Sequence, residues 1–343
     1  MGLGPFLGVL ADRYDRRRIL MITRVASGAC ALALAALYYT SLLEVWHIFV
    51  LVLCGGAFRA IDFTTRYAVA PDTVKSHNLT SAVGLLDAGM GITRVAGSLA
   101  GGHLFKVIGV GGCFAVMAAF YLFSCLSLLP MHLVTSEKPT HQESVWESVL
   151  GGIRYVVNDR AMFALIVLAA IANLFAFPCV LGIMPVFARD VLYVGSDGLG
   201  WLLAANGLGR LIGALAISTL GRFRHKGWLL IGAMIAWPAF LGIFASLRLF
   251  YVNLALLVSV GIACGIAMVL IQLLLLAWAS EEIRGRVSGM RIFAIAMLPL
   301  GNILSGAGAT LWGASIMIVL NALACILTTM FIAFWAPQLR QRQ

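Results

Sequence analysis

The charged residues of this chain are gathered into short clusters between long apolar runs, and this pattern restricts the fold more than any other feature. Six of the seven residues from Asp12 to Arg18 are ionised, whereas the run from Ile19 to Leu43 contains a single charge, Arg24. Hydrophobic residues make up 62% of the 343 positions and charged residues only 11%, far from the composition of a soluble domain. The chain is therefore predicted to be an integral membrane protein.

The excess of arginine in this cluster predicts a loop on the cytoplasmic side of the cell (inner) membrane. Threading the chain from that loop places the other Lys- and Arg-rich loops and the C-terminus in the cytoplasm as well. The apolar residues 1–10 extend about 15 Å as a helix, half a bilayer, so we interpret them as the end of a span whose beginning is missing. Ten complete spans are predicted over residues 19–39, 45–70, 79–110, 113–133, 162–187, 199–220, 228–247, 252–279, 287–311 and 314–334.

An internal repeat indicates two related halves. The motif GxxxGxLA begins at Gly4 and again at Gly209, a shift of 205 residues. Residues 135–160 form the longest polar stretch, and 145–157 carry the apolar stripe of an amphipathic helix. Two like halves joined by a linker are a common plan of transporters. We predict an incomplete N-terminal half bundle over 1–134, a cytoplasmic linker over 135–160 and a C-terminal half bundle over 161–343.

Several other classes of function are disfavoured. The net charge of +10 is spread over short loops rather than one face of a soluble domain, so no nucleic-acid partner is expected. The seven cysteines include no CxxC pair and no HExxH motif occurs, so neither a metal site nor a cofactor is expected. The sequence contains no GxxxxGK[ST] phosphate loop and no catalytic constellation. We therefore predict a protein that is not an enzyme and that uses an ion gradient.

Three motifs resemble those of a known family. The motif GxLADRxxRRR, over 8–18, resembles the signature of the major facilitator superfamily in the loop between its second and third spans. The motifs RxxGxxxGG, over 94–102, and ExRGRV, over 282–287, are similar to those of its enterobactin-exporter and macrolide-efflux type subgroup. The resemblance extends over the whole chain, but the family's first span and most of its second have no counterpart here.

This resemblance implies a fold and a mode of action. The expected fold is an all-α, polytopic membrane helix bundle of two pseudo-symmetric halves, and the expected activity is secondary transport by a monomer. The chain departs from the family pattern at three positions. Asp15 stands where the family has glycine, Ser98 where exporters have proline, and Ile217 where Asp12 would recur in the second half.

The first motif contains candidates for a conformational latch, namely Asp12 and Arg13, to which the resemblance adds Gly8. Asp12 follows a predicted span end, so its carboxylate can accept hydrogen bonds from helix N-terminal amides or from a guanidinium. A contact that forms in only one conformation would shift the equilibrium between two conformations. The alternative is that these charges only set the topology.

Charges inside predicted spans are further candidates, because an ionised group in a bilayer tends to be paired or functional. Arg59 and Asp62 stand three residues apart on one helix face, close enough to neutralise each other as a structural pair. Alternatively, Asp62 exchanges protons when a substrate displaces Arg59.

The next span carries two more charges, Asp87 and Arg94. Asp87 has no opposite charge three or four residues away, so it is the first candidate for a proton-coupling carboxylate; capping a helix or contacting an arginine is the alternative. Arg94, two turns further on, suits an anionic substrate, Asp62 or a structural salt bridge.

Two sets of residues complete the candidates. Asn206 and Arg210 are four residues apart in the second half, so they can point together into a central cavity as substrate ligands, or they can form interhelical hydrogen bonds. Gly97, Gly101 and Gly102 permit close packing of helices.

These observations predict an antiporter that exports small amphipathic molecules, of the drug or siderophore type, in exchange for protons by alternating access. Its expected partners are the small-molecule substrate, protons and the lipid bilayer. Two alternatives stay open. The first is a truncated or vestigial membrane protein without transport activity, and the second is a membrane-embedded enzyme.

Overall fold

The computed structural model describes residues 16–73, 79–129, 159–219, 225–278 and 294–341. These residues form helices and short connections, with no strand among them. The predicted all-α class is therefore confirmed. The amphipathic helix predicted over 145–157 lies outside the described residues.

The described helices follow the predicted spans closely. Asp159 is the N-cap of the helix that begins at Arg160, since its carboxylate accepts hydrogen bonds from the backbone N–H groups of Ala161 at 2.9 Å and Met162 at 3.3 Å. The helices are α1 (Arg16–Tyr39), α2 (Val45–Thr73), α3 (Leu79–Ser127), α4 (Arg160–Asp190), α5 (Ser196–Thr219), α6 (Lys226–Ser246), α7 (Phe250–Trp278), α8 (Met297–Trp312), α9 (Ala314–Trp335) and the short α10 (Gln338–Gln341).

Within the described part of the chain, seven stretches are long and apolar enough to cross a membrane. One of them, Gly91–Ser127, covers parts of two predicted spans. A shorter apolar helix is found over Val45–Arg59 of α2, and the structure describes the region of α8 only from residue 294 onwards. The outer surfaces of the helices carry many exposed aromatic and aliphatic side chains, for example Leu53 and Phe334. This combination is typical of a multi-pass membrane protein, whose helices face lipid.

Two glycines with positive φ mark corresponding joints. Gly109 interrupts α3 with φ 66° and ψ −171°, which separates the two spans predicted over 79–110 and 113–133. Gly313, with φ 85° and ψ 155°, separates α8 from α9. Only glycine adopts such a backbone conformation at little cost. A tight joint of the same kind therefore connects consecutive long helices in each part of the chain.

The repeat visible in the sequence extends to the helices. The first residues of α2, Val45, and of α7, Phe250, are related by a shift of 205 residues. The first copy of the GxxxGxLA motif lies outside the described residues, but the second copy is in α5. The shift found in the motif therefore also relates the starts of two long helices.

The chain divides into two compact units. The first comprises Met1–Met90 and His103–Val145. In it α1 packs along α2, and Gly28 of α1 lies so close to Tyr121 of α3 that a Cβ at Gly28 would be 3.1 Å from the tyrosine Cβ. Near the start of α1, the guanidinium of Arg17 donates a hydrogen bond to the carbonyl of Leu129, which follows α3.

The second unit comprises Gly91–Gly102 and Trp146–Gln343. Its core surrounds α4, the most buried of the seven candidate spans in the described residues. Aromatic rings join α4 to α6. The ring centroids of Phe187 and Phe244 are 4.6 Å apart, and the ring of Phe177 meets the ring of Trp237 edge-on at 4.9 Å.

Glycines bring α5 and α7 into backbone contact. A Cβ at Gly209 would lie 2.1 Å from the carbonyl oxygen of Val258, and one at Gly213 would lie 2.2 Å from that of Ile262. On α7, a Cβ at Gly261 would lie 2.2 Å from the carbonyl oxygen of Asn206 in α5. Small residues four apart on both helices permit this approach.

A side chain introduced at this contact should separate the two helices. We expect Gly261→Leu to lower the free energy of unfolding by about 1–3 kcal/mol, because the new atoms overlap the α5 backbone. The measurement is thermal unfolding of the purified protein in detergent. Gly232→Leu in α6 is the matched control, because a Cβ there meets no described atom within 4 Å. Equal stability of the two variants would contradict the proposed packing constraint.

Candidate functional site

Several predicted candidates cannot be placed in the structure. Gly8, Asp12 and Arg13 lie outside the described residues. Asp87 and Arg94 belong to the helical backbone of α3, but the structure does not describe their side chains. The latch and the role of Asp87 as a proton-coupling carboxylate therefore stay predictions.

The first unit contains an ion pair between two helices. Arg24 Nη2 of α1 lies 2.8 Å from Asp62 Oδ1 of α2, and the two side chains are only 18% and 11% exposed. Arg24 is about 12 Å along the axis from the start of α1, and Asp62 is about 26 Å from the start of α2, so both lie well inside their helices. The pair neutralises each charge at span depth, where an isolated charge is costly.

Sequence reasoning named Arg59 as the partner of Asp62, whereas the structure shows the ion pair with Arg24. Arg59 lies on the same helix as Asp62 and is exposed. The spacing of residues along one helix identifies only neighbours on that helix, so the pairing between α1 and α2 was missed. A signal was present, because Arg24 is the single charge in a long apolar run.

Small polar side chains on the same two helices are also buried. Thr23 and Ser27 of α1 and Thr65 of α2 are buried in the same unit. The hydroxyl of Thr23 donates to the carbonyl of Leu20 at 3.0 Å, and that of Thr65 donates to the carbonyl of Ile61 at 2.8 Å. The hydroxyl donors of Thr23 and Thr65 are therefore satisfied within their own helices.

The second unit places Arg210 of α5 against Phe177 of α4. The guanidinium carbon lies 5.5 Å from the centre of the phenyl ring, which is a cation–π contact. Asn206, four residues earlier on α5, is 7% exposed. Asn206 and Arg210 thus occupy neighbouring positions on one helix, as predicted from their spacing. Phe177, on another helix, is an additional residue of this candidate site, and the spacing along α5 did not indicate it.

Phe177 lies in an irregular part of α4. It is followed by Pro178, and π-helical turns over Ala172–Ala176 and Cys179–Ile183 flank the two residues. Proline has no backbone N–H and its ring conflicts with the preceding turn, so the helix widens here. Such π turns occur frequently at functional sites.

A buried polar cluster links α4, α8 and α9. The amide nitrogen of Asn321 donates to the hydroxyl of Ser305 at 2.8 Å and lies 3.6 Å from the sulfur of Cys179. All three residues are buried. Sequence analysis did not single out Ser305 or Asn321, although an asparagine inside the last apolar run is a detectable signal. The cluster joins three helices and is best understood as interhelical hydrogen bonding.

The segment Gly91–Gly102 packs on α5 through small residues. A Cβ at Gly102 would lie 2.5 Å from the carbonyl oxygen of Ser196, and one at Gly200 would lie 2.8 Å from that of Ser98. Gly102 therefore permits a close approach of helices. A Cβ at Gly97 or at Gly101 meets no described atom within 4 Å, so no such contact is seen at those two positions.

The described residues offer no group of three His, Cys, Asp or Glu side chains that is able to hold a metal ion. The chemistry available at the placed candidates is therefore that of ion pairs, cation–π contacts and hydrogen bonds. Arg24 and Asp62 provide a charge pair between two helices. Arg210 provides a positive charge beside an aromatic ring.

The energetic coupling between Arg24 and Asp62 is measurable. Removal of either charge leaves the other at span depth, so we expect Asp62→Asn and Arg24→Gln each to lower the free energy of unfolding by about 1–3 kcal/mol. The double variant should lose less free energy of unfolding than the two single variants lose together. A double-mutant cycle based on thermal unfolding measures this difference.

The control for this cycle is the Arg189–Asp190 pair, whose side chains are 77% and 47% exposed. The same substitutions there should show no measurable coupling, because water screens the charges. Additive effects of the two substitutions at Arg24 and Asp62 would mean that their contact contributes nothing to stability.

Comparison with known proteins identifies similar sequences and a similar fold. Residues 3–342 match a model of the major facilitator superfamily described as transmembrane secretion effector. The enterobactin exporter EntS of Shigella boydii serotype 18 is 26% identical over 286 residues, which are 82% of this chain and 67% of that protein. The same exporter from Escherichia coli O139:H28 is 25% identical over a segment of the same length.

A solved structure has a similar fold. It is a bacterial homologue of the human lysosomal transporter Spinster, in an inward-facing and unoccupied conformation. The TM-score is 0.71 with 14% sequence identity, and the match covers 99% of this chain and 85% of the other. At this identity the likeness concerns the fold alone, and it supports the polytopic helical bundle described above.

Proposed function

The chain belongs to the transmembrane secretion effector family of the major facilitator superfamily, and from this premise we propose that it exports a small amphipathic molecule in exchange for protons. Membership in a family of transporters and similarity to exporters support a transport function without enzymatic chemistry. The apolar helices indicate a multi-pass membrane protein. The proposed location is the inner membrane, with the C-terminus in the cytoplasm and the protein acting as a monomer.

The observation that carries proton coupling is the ion pair between Arg24 and Asp62. When Asp62 is ionised, it is held by the guanidinium 2.8 Å away and the two charges cancel. When a proton from the outside binds the carboxylate, the pair loses its attraction and Arg24 is released toward another anion or water. A carboxylate that is stable either protonated or paired is suited to carry a proton across a span.

Proton binding then becomes a conformational event. A ligand shifts an equilibrium between two conformations only if it binds one of them better. In the proposed cycle the outward-facing state accepts the proton on Asp62, and the inward-facing state releases it to the cytoplasm as the ion pair with Arg24 re-forms. The substrate moves outward in the opposite half of the cycle, which is alternating access.

The remaining candidates have proposed roles in the same cycle. Asp12 and Arg13, with Gly8, act as the latch on the cytoplasmic side, and Asp87 is a second proton-coupling candidate. For the substrate we propose the siderophore or drug type, because the relatives named above export enterobactin. The vestigial alternative predicts no transport by any form of the protein, so the experiments below separate it from the exporter.

Export is tested by complementation. A strain that makes enterobactin but lacks its own exporter should secrete the siderophore when this protein is produced, and a proton uncoupler should abolish the secretion. Asp62→Asn should reduce secretion at least about tenfold at an equal membrane level, because the neutral amide exchanges no proton. Asp190→Asn, at an exposed pair, is the matched control. Secretion that survives both the uncoupler and Asp62→Asn would refute proton coupling through this residue.

The latch is tested by a pair of charge removals in one loop. Asp12→Asn should slow export about tenfold while leaving membrane levels unchanged, because one conformation loses a charge-assisted contact. Asp15→Asn removes the same charge three residues away and should have little effect. Equal rates for the two variants would leave Asp12 with a topological role only.

A further inference from the structure

Arg210 lies deep within a helix that is long and apolar enough to cross a membrane. The helix α5, Ser196–Thr219, is about 36 Å long, and Arg210 is about 21 Å along its axis from Ser196 and about 14 Å from Thr219. The hydrocarbon core of a bilayer is about 30 Å thick. A permanent positive charge at this depth is costly, and in transporters such charges mark substrate pathways.

No carboxylate among the described residues neutralises this charge. The recorded contact of the Arg210 guanidinium is with the face of Phe177. The described acids of the same unit are engaged or remote: Asp159 caps α4, Asp190 pairs with Arg189, and Asp197 is about 20 Å away along α5. Arg210 thus differs from Arg24, whose charge is cancelled by Asp62.

Another hydrogen-bond donor lies close to the same ring. Trp237, whose ring packs edge-on against Phe177 at 4.9 Å, is 1% exposed, and its indole N–H has no acceptor among the described residues. Asn206, four residues before Arg210 on α5, is 7% exposed. A buried donor without an acceptor is costly. The region around Phe177 therefore has a positive charge and a buried indole N–H that no described acceptor satisfies.

A ligand that fits this region must supply a negative charge and hydrogen-bond acceptors. A negative charge with acceptor oxygens suits the guanidinium, which binds planar anions through two parallel hydrogen bonds. An aromatic body suits the rings of Phe177 and Trp237. We propose that Arg210, with Phe177 and Asn206, binds the anionic group of the exported molecule near the membrane midplane, and that this molecule is an aromatic carboxylate or phenolate.

This inference rests on the proposed export function and names the class of its substrate. Binding sites of transporters lie near the midplane between helices. The π turns on either side of Phe177 and Pro178 also support the proposal. Such departures from the regular α-helix occur frequently at functional sites, and Phe177 lies between two of them.

The test is equilibrium binding of three matched probes to the full-length protein in lipid nanodiscs, with empty nanodiscs subtracted. The probes are 2-naphthoate, the neutral 2-naphthamide and the cationic 2-naphthylmethylamine. The native protein should bind the anion most tightly. Arg210→Gln should weaken binding of 2-naphthoate at least about tenfold and leave 2-naphthamide unchanged, because only the charge-assisted bonds are lost.

Two further variants keep the result interpretable. Arg210→Lys retains the charge without the planar fork and should bind 2-naphthoate with intermediate affinity. Arg248→Gln removes an exposed arginine that follows α6 and should bind all three probes as the native protein does. If Arg210→Gln does not fold, the comparison of Arg210→Lys with the native protein decides the question.

Two results would overturn the proposal. One is a native protein that binds the anion no better than the neutral probe. The other is a native-like preference for the anion in Arg210→Gln, or in Arg210→Lys if that variant has to decide. Binding is measured without a proton gradient, so loss of the anion preference is distinguishable from a failure of proton coupling, which the secretion assay with Asp62→Asn reports.

Discussion

A lipid bilayer offers no hydrogen-bonding partner to a polar group, and the rest of this structure depends on that constraint. Backbone groups are satisfied within helices, so the described chain consists of long helices and tight joints. Charged side chains cannot rely on water at span depth, so each requires a partner or a polar cavity. The ion pair of Arg24 and Asp62 meets this requirement within the protein, whereas Arg210 has only an aromatic face among the described residues.

Glycine serves two distinct purposes under this constraint. At Gly109 and Gly313 it permits a positive φ, which turns the chain without a long polar loop. At Gly209, Gly213 and Gly261 it permits contact between helix backbones, so that dispersion forces replace the hydrophobic effect, which is absent in lipid. The same residue type therefore determines both where helices break and where they pack.

The two charged sites illustrate complementary ways to use a buried charge. In the proposed cycle the internal pair acts as a switch, because a proton on Asp62 would cancel the attraction to Arg24. Arg210, with no acid beside it among the described residues, is proposed as a receptor for an anion that arrives from outside the chain. A proton-coupled exporter of anionic molecules needs both kinds of site, so the two proposals support each other physically while being measured by separate experiments.

The class of fold, most helix positions and the repeat can be read from the amino-acid sequence. Hydrophobic run length and loop charge depend on the bilayer rather than on contacts between helices, and they are therefore readable from one chain. The starts of α2 at Val45 and of α7 at Phe250, related by the shift of 205 residues found in the glycine motif, are an example. The family was also indicated by local motifs, and the match over residues 3–342 confirms it.

Contacts between residues of different helices depend on tertiary packing and could not be predicted. The choice of Arg24 rather than Arg59 for Asp62, the contact of Arg210 with Phe177, and the pairing of Asn321 with Ser305 all join different helices. Periodicity along a helix identifies a face but not the helix that lies against it. The partner of a side chain depends on how helices are rotated and packed, and that is settled by many small contacts spread over the whole chain.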